Sequence, residues 1–129
     1  MRTNVSGRVA AVLVGLEGVG ILALVVWQIV EILRGDTDSI ASALALVVLS
    51  VVGAVAVIAF AVATWRGQSW GRSGGIVTQL LILAVALGAI TGAFAAPGIA
   101  LALAIPAAVV LVLLILAVRD AGRAARRED

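Results

Sequence analysis

Glu17 stands in an otherwise aliphatic stretch, VAAVLVGLEGVGILALVVW, where a carboxyl group is out of place. An acidic group near the middle of a bilayer costs from about 2.5 kcal/mol upward, so its side chain must face protein or water. Three uses are open to it. It can be a neutral acid hydrogen-bonded inside a helix bundle and fixing helix register, a contact with a partner protein, or a site that takes up and releases a proton or cation. Gln79, Ser50 or a bound water are candidate partners. At about 100° per residue, Gln28 and Glu31 fall within about 60° of Glu17 around a helix, so one face of this segment is polar. Gln28 and Glu31 lie near the end of the stretch, where long side chains reach water or headgroups.

Little other chemistry is on offer. The chain has no His, Cys, Tyr or Lys, which removes the usual metal ligands, haem ligands, disulfides and Schiff bases. A Ser–His nucleophile is excluded, paired intramembrane acids are missing, and Gly74-Gly75 has no lysine after it to make a phosphate loop. The reading is therefore a protein without enzymatic activity, cofactor or metal.

The elements that must carry these residues follow from composition. Of 129 residues, 64% are hydrophobic and 12% charged, and the mean hydropathy is +1.25, too apolar for a water-soluble globule. No charge occurs from Ser39 to Trp65 or from Ser73 to Val118. The second run would make about 70 Å of helix, more than twice the apolar thickness of a bilayer, so it must fold back, with Pro97-Gly98 as the turn. The first run is too long for a signal peptide and has no A-x-A site, so it reads as a span. The expectation is one domain, an all-α bundle of four transmembrane helices over about 8–33, 40–65, 76–96 and 99–118, with a basic tail at 119–129. Pro106 is expected to kink the fourth helix.

Charge sets the expected orientation. Arg2, Arg8, Arg66, Arg72, Arg119, Arg123, Arg126 and Arg127 fall on one side and Arg34 alone on the other, beside Asp36 and Asp38. Under the positive-inside rule both termini and the loop at 66–75 are cytoplasmic, and the two hairpin turns face out. Trp65 and Trp70 suit the inner interface and Trp27 the outer one. Arg66, Arg72, Arg119, Arg123 and Arg126 form a basic edge suited to anionic lipid. The sequence pI near 11.1 does not imply nucleic-acid binding, because the net charge is only +2 and no aromatic-basic platform exists.

A second strip of the first helix, Ala11, Gly15, Gly18 and Leu22, lies about 120° from the polar one and presents small residues that let another helix approach closely. It is the face expected to pack against a helix or a partner, in a homo-oligomer or a larger membrane complex.

Two segments carry a family resemblance. EGVGILALVVWQIVE in the first helix, and WRGQSWGRSGGIVTQLLILAVALG with its basic Trp-containing loop and Gln79, resemble small four-helix integral membrane proteins of uncharacterised function common in actinobacteria. That resemblance implies a bacterial inner membrane and brings no activity. Arg in place of Lys agrees with a GC-rich source. Four short helices with one glutamate in LEGVG also resemble the small multidrug resistance transporters, a weaker likeness that implies Glu17 as a shared proton and cation site. The combined reading is an accessory or interaction subunit associating through helix 1, with a small Glu17-coupled transporter as the alternative.

Overall fold

The computed structural model describes residues 5–92 and 95–128. Arg2 of the orientation argument lies outside the described residues. The chain forms α1 Val5–Arg34, α2 Ile40–Trp65, α3 Ser69–Thr91 and α4 Pro97–Glu128, with no strand among the described residues. Each helix is long and apolar enough to cross a membrane, so this is an all-α, multi-pass membrane protein.

The first two turns use the same device. At the end of α1, Gly35 takes φ +76°, its amide donates to the Ile32 carbonyl at 3.1 Å, and the Asp36 amide donates to Glu31 at 3.1 Å. At the end of α2, Gly67 also takes φ +76°, donating to Thr64 at 3.0 Å, while Gln68 donates to Ala63 at 2.8 Å. A left-handed glycine just past the last helical residue satisfies carbonyls that have no partner further along the helix. Ser39 caps α2, its side chain accepting from the Ser42 amide at 3.3 Å.

The helix limits differ from the sequence expectation at three places. α3 begins at Ser69 rather than near 76, so the ten-residue loop shrinks to residues 66–68. The segment SWGRSGG is poor in helix propensity and reads as loop, but Gly71 and Gly74 are contact points against α2 and Gly75 against α4, and packing outweighs propensity. α3 ends at Thr91 rather than near 96, and α4 starts at Pro97 itself, so Pro97-Gly98 belongs to the helix and not to the turn, part of which lies outside the described residues. Proline is then the first residue of α4, where its missing amide costs nothing. α4 runs on through Pro106 and past 118 to Glu128, because RDAGRAARRE is rich in Ala and Arg and its basic residues suit a helix C-terminus.

The helices stand as a ring in chain order, α1 packing on α2, α2 on α3, α3 on α4 and α4 on α1. Most large aliphatic side chains point outward, and much of the interior is alanine. Ala10, Ala54, Ala100, Ala107 and Ala117 are buried, whereas Leu16, Leu33, Leu49, Leu81 and Leu87 are exposed. The central cluster is Ala10, Val14, Val57, Ala61, Val110 and Leu114, with Phe60 and Ile76 against it. Lipid tails solvate Leu as well as a protein interior does, so helices associate where small side chains permit backbone approach.

Glycine contacts rank the seams. A Cβ added at Gly71 would meet the Thr64 amide nitrogen at 2.5 Å and the Ala63 carbonyl carbon at 2.8 Å, both backbone. At Gly18 it would meet Ile58 Cγ1 at 2.6 Å, and at Gly15 only Ala61 Cβ at 3.7 Å. Gly53 has open space around it. Substitution by alanine should therefore destabilise in the order Gly71, Gly18, Gly15. Gly71→Ala is expected to cost about 1–3 kcal/mol by overpacking, and Gly53→Ala to be neutral or stabilising. Unfolding by SDS from mild-detergent micelles measures the series, and equal stabilities for Gly71→Ala and Gly53→Ala would contradict the α2–α3 seam.

Candidate functional site

Glu17 sits on α1 at the edge of its buried face, on the same side as Ala10, Val14 and Ile21. Gln79 sits on α3 and is fully buried. In a ring ordered α1 to α4, these two helices are diagonal partners, so a contact between them crosses the interior. That contact exists: the Gln79 side-chain amide Nε2 donates to Glu17 Oε2 at 2.6 Å. Of the candidate partners, the glutamine is the one that meets the acid. Gln79 Oε1 is buried with no hydrogen-bond partner among the described residues. Glu17 itself is only partly buried.

The first turn around Gln79 explains how it reaches the axis. Gly71, Gly74 and Gly75 bring the start of α3 against Ala63, Phe60 and Leu114, so the residue one turn further on enters the interior rather than the lipid face. Thr78 and Thr91 bond their own helix, to the Gly74 and Leu87 carbonyls at 2.9 Å each. They add no polar group to the interior site.

Gln28 and Glu31 share the face of Glu17, as helical spacing requires, but not its site. Eleven residues of rise, about 16 Å, separate Gln28 from Glu17. With Trp27, Ile32, Asp36, Thr37, Ala43 and Leu46, the two residues line an open cavity of about 210 Å³ between α1 and α2 at the Arg34 end. Glu31 lies 3.9 Å from Arg34. Gln28 Oε1 is buried without a partner among the described residues.

Gly15 and Gly18 are placed against α2, approaching Ala61 and Ile58, and Ala11 and Gly18 are buried. This part of the small-residue face packs within the chain, while Leu22 at its end is exposed. The polar strip and the small strip are two flanks of one buried face, the second filled by the hairpin neighbour.

Arg8, Arg66, Arg72, Arg119, Arg123 and Arg126 all lie at one end of the bundle, since α1 and α3 start there and α2 and α4 finish there. Two contacts at this end had no signal in spacing or composition. Arg8 stacks over the Trp65 ring at 4.8 Å, and Ser6 Oγ donates to Asp120 Oδ2 at 3.1 Å, joining the first helix to the last. Arg72 is partly used, donating to the Gly67 carbonyl at 2.8 Å. Trp70 packs edge-on to Phe60 with centroids 6.1 Å apart.

No family model, curated protein or solved structure matches this chain. Among the described residues, no group of three or more His, Cys, Asp or Glu is gathered for a metal. The interior site is one carboxyl group and one amide. It can hold two helices in register, and it can exchange a proton or small cation at the carboxyl.

A double-mutant cycle on Glu17→Leu and Gln79→Leu reads the strength of this clasp. Side-chain hydrogen bonds in membranes average about 0.6 kcal/mol and reach about 1.7 kcal/mol in such cycles. A coupling in that range is expected from SDS unfolding, with the double variant more stable than the sum of the single losses predicts. A coupling indistinguishable from zero would remove the diagonal bond.

Proposed function

We propose that this chain is a non-enzymatic accessory protein of a bacterial inner membrane, with both termini in the cytoplasm. The orientation follows from the basic end: seven arginines among the described residues lie there, and only Arg34 lies at the other. One observation carries the functional reading. Glu17 is engaged with Gln79 across the bundle diagonal, an arrangement that favours a role for the acid in helix register. Association through helix 1 then falls to the open cavity that Gln28 and Glu31 line beside α2, because Gly15 and Gly18 are already engaged with α2. A polar pair in an open cavity between helices is a suitable contact for a neighbouring membrane helix.

Reporter fusions at each terminus should both report the cytoplasm. Purification in mild detergent should bring down a second membrane subunit, and Gln28→Leu with Glu31→Leu should weaken its retention several-fold. Fusions in opposite compartments, or identical retention in the double variant, would refute the respective half of the reading.

A second reading has its own support. The unpartnered, buried Gln79 Oε1 lies on the same side chain that holds a partly exposed carboxyl group, which is acceptor capacity to spare for a proton donor or small cation. A Glu17-coupled transporter predicts proton release when cations are added to reconstituted protein, abolished in Glu17→Gln. A flat trace for the unaltered protein is the outcome expected of the accessory reading.

A further inference from the structure

The C-terminal stretch RDAGRAARRED looks close to neutral on paper, with four arginines set against Asp120, Glu128 and Asp129. The continuation of α4 to Glu128 changes that picture, because a helix sorts charges by angle. Taking Arg119 as origin at about 100° per residue, Arg123 and Arg126 fall within a sector of about 60°, and Arg127 lies about 40° outside it, toward Asp120. Asp120 lies roughly 90° from the centre of that sector and Glu128 roughly opposite it. Asp120 is also held elsewhere, accepting from Ser6 on α1.

The sector has a direction. The buried residues of α4 (Val110, Leu114 and Ala117) cluster about 180° from it, so the arginines point away from the bundle axis, on the side that is lipid-facing one turn earlier. All four are exposed, and no ion pair among the described residues involves them. Side chains on a helix lean toward its N-terminus, and the N-terminus of α4 is at the far end of the bundle. The Cα–Cβ bonds of Arg119, Arg123 and Arg126 therefore tilt back toward the apolar part of the helix. Their positions span about 10 Å of rise, against a headgroup layer of roughly 5–8 Å, a gap that an arginine side chain covers.

We infer that the outer face of the α4 extension is a binding surface for the phosphates of anionic phospholipid headgroups, formed by Arg119, Arg123 and Arg126. The guanidinium fork suits phosphate oxygens, and Arg8, Arg66 and Arg72 with Trp65 and Trp70 set the same headgroup level from the other helices. The stripe continues the exposed apolar side of α4 formed by Val112, Ile115 and Leu116, which favours lipid over an acidic soluble protein meeting the stripe from the aqueous side. The assignment rests on the chain spanning a bilayer, and is independent of which compartment the basic end faces and of any partner subunit.

The test uses the full chain reconstituted in mixed phosphatidylglycerol and phosphatidylcholine vesicles. Spin-labelled lipids of each class report the relative association constant at the protein surface, with vesicle flotation as the check on insertion. The unaltered protein should prefer phosphatidylglycerol. Arg119→Gln, Arg123→Gln and Arg126→Gln together should lower that preference by about fivefold or more, the factor that about 1 kcal/mol for one arginine near an anionic surface represents. Asp120→Asn should leave the preference intact, and raising the salt concentration should weaken it in the unaltered protein. An unchanged preference in the triple variant would overturn the inference. If the unaltered protein shows no lipid preference and instead binds an acidic soluble polypeptide through these arginines, the surface belongs to a protein partner and the lipid assignment is wrong.

Discussion

Hydrocarbon solvates Val, Leu and Ile as well as a folded interior does, so burying them cannot hold these four helices together. What remains is close van der Waals contact, and that is available only where side chains are small enough for backbones to meet. α2 is the helix on which this constraint falls most heavily. It receives Gly15 and Gly18 of α1 on one side and Gly71 and Gly74 of α3 on the other. With α2 so placed, α4 closes the ring against α3 and α1 through Ala100, Ala107, Val110, Leu114 and Ala117. The large aliphatic residues are left on the outside as a lipid-facing coat.

Within that ring the Glu17–Gln79 bond does what apolar contact cannot. Small-residue seams tolerate sliding, because one glycine or alanine resembles the next. A carboxyl group and an amide meeting across the diagonal define one longitudinal register for α1 relative to α3, two helices that are not ring neighbours. The bond is only as costly to keep as the alternative is to tolerate, namely an acid and an amide left to lipid.

The two ends of the bundle are built differently. At one end Arg8 over Trp65 and Ser6 with Asp120 tie α1 to α2 and α4, and Arg72 on the Gly67 carbonyl braces the turn from α2 into α3. At the other, Gly35 closes a tight turn beside an open cavity that Gln28, Glu31 and Asp36 help to line. Charge and aromatic side chains thus brace the first end, and the second carries the open cavity and the acidic residues Glu31, Asp36 and Asp38.

Much of the architecture was legible before any coordinates. Runs without charge exceed what one crossing can use, so four spans follow from length and from the energy of unpaired backbone in lipid. α2 begins and ends where its pattern says, at Ile40 and Trp65. The polar face of α1 follows from a helical period, as does the small-residue strip. Two things do not follow. Propensity could not show that SWGRSGG is helical, because its glycines earn their place by touching Ala63, Phe60 and Leu114, residues distant in the chain. Nor could spacing on one helix say which neighbour each face meets: that Gly15 and Gly18 are used up against α2, that Glu17 finds Gln79 while Gln28 does not, and that Asp120 turns to Ser6 while the arginines turn outward. Local sequence sets which faces a helix carries, since that depends only on the helical repeat. The pairing of those faces depends on how four helices share one small cross-section, and that is a property of the packed bundle.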